Sequence, residues 1–86
     1  MVYQLNWDEE ALDDLQKIGK AEAIRLIRKI ETHLVKDSQN LGKALVGNFS
    51  GLYRYRIGDY RVIYQIIKNE LLVVVVRVGH RKDIYE

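Results

Sequence analysis

The sequence predicts an α+β domain: two N-terminal helices packed on one face of a twisted, mainly antiparallel sheet of four to five strands. Three observations lead there. Apolar residues recur at helical spacing between Glu9 and Lys36. After Gly51 the period drops to two, as strands require. The later segments are joined by tight turns, which makes them antiparallel neighbours. With no proline, no repeat and no low-complexity tract in 86 residues, a single domain over 1–86 is expected.

Val2 to Trp7 alternates apolar and polar residues and reads as the first strand. Asp8 is placed to cap a helix, with Glu9 and Glu10 in the first turn, where the helix dipole favours carboxylates. Ala11, Leu12, Leu15 and Ile18 supply its apolar face, and Gly19 ends it. Asp13 and Asp14 read as solvated surface. A longer helix follows over about Lys20 to Lys36, with Ala23, Ile27, Ile30 and Leu34 as its buried stripe, flanked by Ile24 and Leu26. Arg25, Arg28, Lys29 and Lys36 project from its other side as a solvated basic face.

Asp37 to Gly42 is a polar connection, Lys43 to Val46 a short edge strand, and Gly47 to Gly51 a second loop. The hairpin from Leu52 to Gln65, LYRYRIGDYRVIYQ, comes next. Gly58-Asp59 is its turn, glycine supplying positive φ at the first central position. That loop sets Ile57 opposite Tyr60, Arg56 opposite Arg61, Tyr55 opposite Val62 and Arg54 opposite Ile63. Arg54, Arg56 and Arg61 then share one face. Tyr53, Tyr55, Tyr60, Val62 and Tyr64 share the other, the better one to meet the helices. A Lys68-Asn69 turn leads into Leu71 to Val78, an apolar run broken only by Arg77, as in a central strand covered on both faces.

Composition excludes several classes. At 48% hydrophobic and 30% charged the chain is globular. No segment approaches the ~20 apolar residues of a membrane span, so no membrane partner is expected. Absence of cysteine removes disulfides and thiolate metal sites. The first ten residues lack the pattern of an export signal, which makes the cytoplasm the expected location. Charge is uneven: residues 1–50 carry seven Lys/Arg against eight Asp/Glu, and residues 51–86 seven against four. Five of the six tyrosines also fall in the second part, and basic residues interleaved with aromatics suit nucleic acid.

Like charges directly opposite one another weaken a sheet, so three guanidinium groups gathered on one face point to an anion held there. With a two-residue Lys68-Asn69 turn, register sets Arg61 opposite Val76 and brings His80 onto the arginine face, leaving Arg77 on the tyrosine side in a structural role. The tail then brings His80, Arg81, Lys82 and Tyr85 to the rim. This set fits cleavage of an RNA phosphodiester by its own 2′-hydroxyl. That reaction needs positive charge on the phosphorane, a proton acceptor and donor, and a nucleotide splayed into line by stacking. Histidine is the side chain suited to proton transfer at neutral pH. No metal motif is present, so a metal-independent route with no cofactor is expected.

The chain resembles the RelE/ParE superfamily of bacterial and archaeal toxins, and specifically its RelE-like branch. The resemblance runs over essentially the whole length: the opening strand, DEEALDDL at 8–15, the loop near Gly47, LYRYRI at 52–57, DYRVIYQ at 59–65 and VGHRKDIY at 78–85. It implies a small ribonuclease that enters the ribosomal A site and cuts the bound mRNA, leaving a cyclic phosphate. It also implies a cognate antitoxin as partner. Carried over by position, Arg54 and Arg56 match the strand's paired basic residues, which are lysines in the best-studied pattern. Arg61 matches the phosphate-contacting arginine, Arg81 the arginine after the last strand, and Tyr85 the stacking tyrosine. His80 stands in as proton acceptor, and Lys82 adds phosphate-binding charge. The superfamily also implies an alternative, a ParE-type inhibitor of DNA gyrase with the same fold and no RNA chemistry.

Overall fold

A computed structural model describes residues 3–47 and 51–80, apart from the side chains of 38–40. Strand β1 (Gln4–Trp7) leads into helix α1 (Glu9–Ile18), whose first N–H is capped by Asp8 Oδ1 at 2.8 Å. Helix α2 (Lys20–Lys29) passes through a π-helical turn, Ile30–Leu34, into α3 (Val35–Leu41). The wider turn shifts the helical phase, so Ile30, Leu34 and Val35 are all buried. Strands β2 (Lys43–Ala44), β3 (Leu52–Ile57), β4 (Tyr60–Ile67) and β5 (Leu72–His80) complete the chain.

The five strands form one sheet in the order β1-β5-β4-β3-β2. Every neighbouring pair is antiparallel except β1 with β5, which run parallel, the helical segment from α1 to α3 intervening between β1 and the other strands. The expected α+β architecture is therefore present, with a five-stranded mixed sheet. Ala11, Leu15, Ala23, Leu26, Ile30 and Leu34 from the helices meet Ile57, Val62, Tyr64, Val73, Val75 and Val78 from the sheet. Tyr53, Tyr55 and Tyr60 pack against that core, so the tyrosine side of the hairpin faces the helices. No described helix is long and apolar enough to cross a membrane.

Several details differ from expectation. The residues from Asp37, read as a connection, continue the helix as α3 to Leu41, and the edge strand expected over Lys43 to Val46 is only Lys43–Ala44. Leu12 is 47% exposed, outside the apolar contact that Ala11 and Leu15 make. Asp14, read as surface, is buried beneath Arg77. Strand β5 is interior, but only Val73, Val75 and Val78 are fully covered, while Leu72, Val74 and Val76 are half-buried. The β4–β5 connection is longer than two residues: Lys68–Glu70 forms a 3₁₀ turn and Leu71 adopts the left-handed region at φ 52°. That difference propagates into the site.

Candidate functional site

The β3–β4 hairpin has the register its turn demands. Gly58 takes φ 59°, Arg56 pairs with Arg61, and Arg54 pairs with Ile63. Arg54, Arg56 and Arg61 therefore lie on the face turned away from the helices. On the other face the Tyr53 and Tyr64 rings stack at 5.5 Å between centroids. Lys43 joins the basic side, because β2 pairs it with Arg54. Two like-charge cross-strand pairs thus sit in succession, Lys43 with Arg54 and Arg56 with Arg61, each costing on the order of 0.5 kcal/mol. Lys43 was not among the candidates from sequence. No signal in it fixes how a two-residue strand registers across the long 45–51 connection.

The arginines are not equally open. Arg56 is exposed and Arg54 half-buried, but Arg61 is only 6% exposed. The uncovered position expected for Arg61 is corrected accordingly. Strand β4 is interior, and Arg61 is paired with Arg56 on β3 and with Gly79 on β5. Charge in such a site is screened less by water than on an open surface, so it acts more strongly on an anion.

His80 is corrected as well. It pairs with Tyr60 and its ring meets the Tyr60 ring edge-on at 5.9 Å, on the helix side of the sheet. Arg61 faces Gly79, three residues beyond the expected Val76. Two of those residues come from the longer connection and would have preserved the face. The third is Val76, extra at a bulge between Ile63 and Tyr64, and an odd shift turns a side chain to the other side. His80 instead borders a cleft of about 430 Å³ with Lys17, Tyr60 and Arg77. The same shift pairs Arg77 with Ile63, on the arginine side by register rather than the tyrosine side expected, yet its side chain reaches Asp14 on α1. Arg81, Lys82 and Tyr85 lie outside the described residues.

The loop that delivers Lys43 is tied to the core. Burial pushes the Tyr64 phenol far above its ordinary range, against the opposing pull of a hydrogen bond with the Gly42 backbone. The phenol occupies the space where any Cβ at Gly42 would lie. Glycine is required there for close approach.

The family described as "ParE toxin of type II toxin-antitoxin system, parDE" matches residues 5–85. The chain belongs to the RelE/ParE superfamily of type II toxin–antitoxin toxins, on its RelE-like branch. It is 31% identical to Toxin RelG of Mycobacterium tuberculosis, over 99% of this chain and 98% of that one. It is 29% identical to the mRNA interferase toxin RelE of Escherichia coli, over 95% of this chain and 86% of that one. Among solved structures, the toxin–antitoxin complex RelBE2 from Mycobacterium tuberculosis superposes with a TM-score of 0.90 at 28% identity, covering 96% of this chain and 95% of that one. In this RelE-like toxin the hairpin at 52–65 thus combines a tyrosine face that holds the helices with an arginine face on the other side of the sheet, where Arg61 is buried and Arg56 exposed.

Proposed function

We propose that this toxin cuts mRNA in the ribosomal A site, without a metal, by directing a ribose 2′-hydroxyl onto the adjacent phosphate. The single observation that carries the reading is the arginine face of the hairpin, with Arg61 set into the sheet between Arg56 and Gly79. The name of the Escherichia coli relative, mRNA interferase, supports it.

In the proposed reaction the 2′-oxygen bonds to phosphorus, the bond to the 5′-oxygen breaks, and a 2′,3′-cyclic phosphate remains. The attacking hydroxyl loses its proton to solvent water, and the leaving 5′-oxygen gains one, so the step is balanced in protons. Arg61 stabilises the charge that builds on the non-bridging oxygens, while Arg54 and Arg56 hold the backbone in line. Arginine stays protonated, so these groups stabilise and donate rather than accept. We assign donation at the leaving oxygen to Arg81, which the resemblance matches to the arginine after the last strand, stacking on a base to Tyr85, and added charge beside the backbone to Lys82. His80, turned to the helix side, leaves the catalytic set. A cognate antitoxin is the expected protein partner and the cytoplasm the expected compartment, as for a toxin that meets translating ribosomes.

The test is to incubate the purified chain with translating ribosomes and map the mRNA ends. Cuts within A-site codons, carrying cyclic phosphate, are expected; intact message would overturn the reading. A second reading, inhibition of DNA gyrase, is favoured by the match to the parDE toxin family. It predicts loss of supercoiling in a gyrase assay and no mRNA cleavage.

A further inference from the structure

We propose that Lys43 binds a phosphate flanking the scissile one, so that the RNA backbone runs across β3 onto β2. The inference rests on the ribonuclease reading above. Lys43 is exposed, and its pairing with Arg54 fixes it on the arginine side, while Ala44 pairs with Tyr53 on the other. Between Lys43, Arg54 and Arg56 lies a concavity of about 210 Å³, bordered also by Leu41 and Tyr55. That is well above the ~10–15 Å³ that admits a single water, so a phosphate has room there.

Placement along the strand fits a chain of phosphates rather than a lone anion. The Lys43–Arg54 pair and the Arg56–Arg61 pair are two residues apart along β3, roughly 7 Å at the rise of a strand. One pair meets the scissile phosphate and the other its neighbour. Lysine is a compact charge on a flexible stem, suited to following a backbone, whereas the arginine fork suits two-point contact with one phosphate. The backbone beneath Lys43 is also held. Gly42 sits against the buried Tyr64 phenol, which anchors β2 to the core. A lysine on a short edge strand has one competing explanation, the blocking of strand-to-strand aggregation, and that role has no connection to RNA.

The experiment measures steady-state cleavage by the full chain on ribosomes programmed with a short synthetic mRNA. Each phosphate flanking the cleavage position is replaced in turn by an uncharged methylphosphonate. Lys43→Ala is expected to raise KM about tenfold, with most of the loss in KM rather than kcat and with Tm unchanged. Lys43→Arg should restore most of it. Neutralising one flanking phosphate should raise the wild-type KM by a similar factor and leave that of Lys43→Ala unmoved, since the contact is already gone. Wild-type cleavage with a normal KM for Lys43→Ala would overturn the inference and leave the ribonuclease reading standing. So would equal sensitivity of both proteins to every neutralised phosphate. Absence of cleavage by the wild type would overturn both.

Discussion

Arg77 on β5 grips Asp14 on α1 with two hydrogen bonds, Nε to Oδ2 at 2.8 Å and Nη2 to Oδ1 at 3.2 Å. The same carboxylate accepts the Val78 backbone N–H at 3.0 Å. Beyond Val75, the last residue of β5 paired with β1, the side chain of Asp14 thus serves the open edge of β5. Glu10 adds a looser contact to Arg77 at 3.5 Å.

Removing that carboxylate leaves the buried Val78 N–H without its acceptor and takes two hydrogen bonds from Arg77. Asp14→Ala is expected to lower stability by about 2–4 kcal/mol, toward the low end because Arg77 keeps 31% exposure. For a domain of this size the fall in Tm is roughly 10 °C or more. Asp14→Asn keeps an acceptor for Val78 and should lose less. Urea unfolding of both variants measures the difference.

Tyr64 makes stability depend on alkaline pH. Its phenol is held protonated in the folded protein, whereas the unfolded chain releases that proton near pH ~10. The contribution is therefore complete below about pH 10 and declines above it, by about 1.4 kcal/mol per pH unit. Tyr64→Phe loses the Gly42 hydrogen bond, so it starts less stable at pH 8, and its curve above pH 10 should be flatter than the wild type's. Gly42→Ala probes the same contact from the other side. The Gly42 backbone, at φ −97° and ψ 164°, would accept alanine, so any loss, expected at about 1–3 kcal/mol, comes from collision with the phenol. Combining it with Tyr64→Phe should cost less than the sum.

Arg61→Ala is expected to reduce A-site cleavage by about 10²-fold or more, the usual scale for losing one preorganised donor to a developing anion. Because Arg61 is buried, the variant should also lose measurable stability, unlike substitution of exposed Arg56. Mapping mRNA ends at matched folded concentrations, set by circular dichroism, separates the two effects.

His80→Ala should keep mRNA cleavage within about threefold of wild type, since its ring lies against Tyr60 on the opposite face from Arg61. The change expected is a small fall in Tm, from losing an aromatic contact of about 0.5–1.5 kcal/mol. Cleavage lost in His80→Ala with folding intact would return the histidine to the reacting atoms.

Much of this was legible in the order of residues. The Asp8 cap, the helical spacing of Ala11, Leu15, Ala23 and Ile30, and the period-two hairpin are local patterns, and each formed as its spacing required. The register of Arg56 with Arg61 was readable because a two-residue turn with glycine at its first position leaves little choice. The β4–β5 register was not. Leu71 carries no sign that it will take a left-handed conformation, and nothing in a run of valines marks Val76 as the extra residue.

Local chemistry alone therefore determined the α+β class, the helices and the separation of tyrosines from arginines, because those follow from periodicity within a few residues of each position. Tertiary structure decided which neighbours crossed between strands: the burial of Arg61 beside Gly79, the turning of His80 toward the helices, and the arrival of Lys43 beside Arg54. Faces of a sheet alternate with every residue, so a single bulge or a short strand reached through a long loop reassigns a side chain from one side to the other.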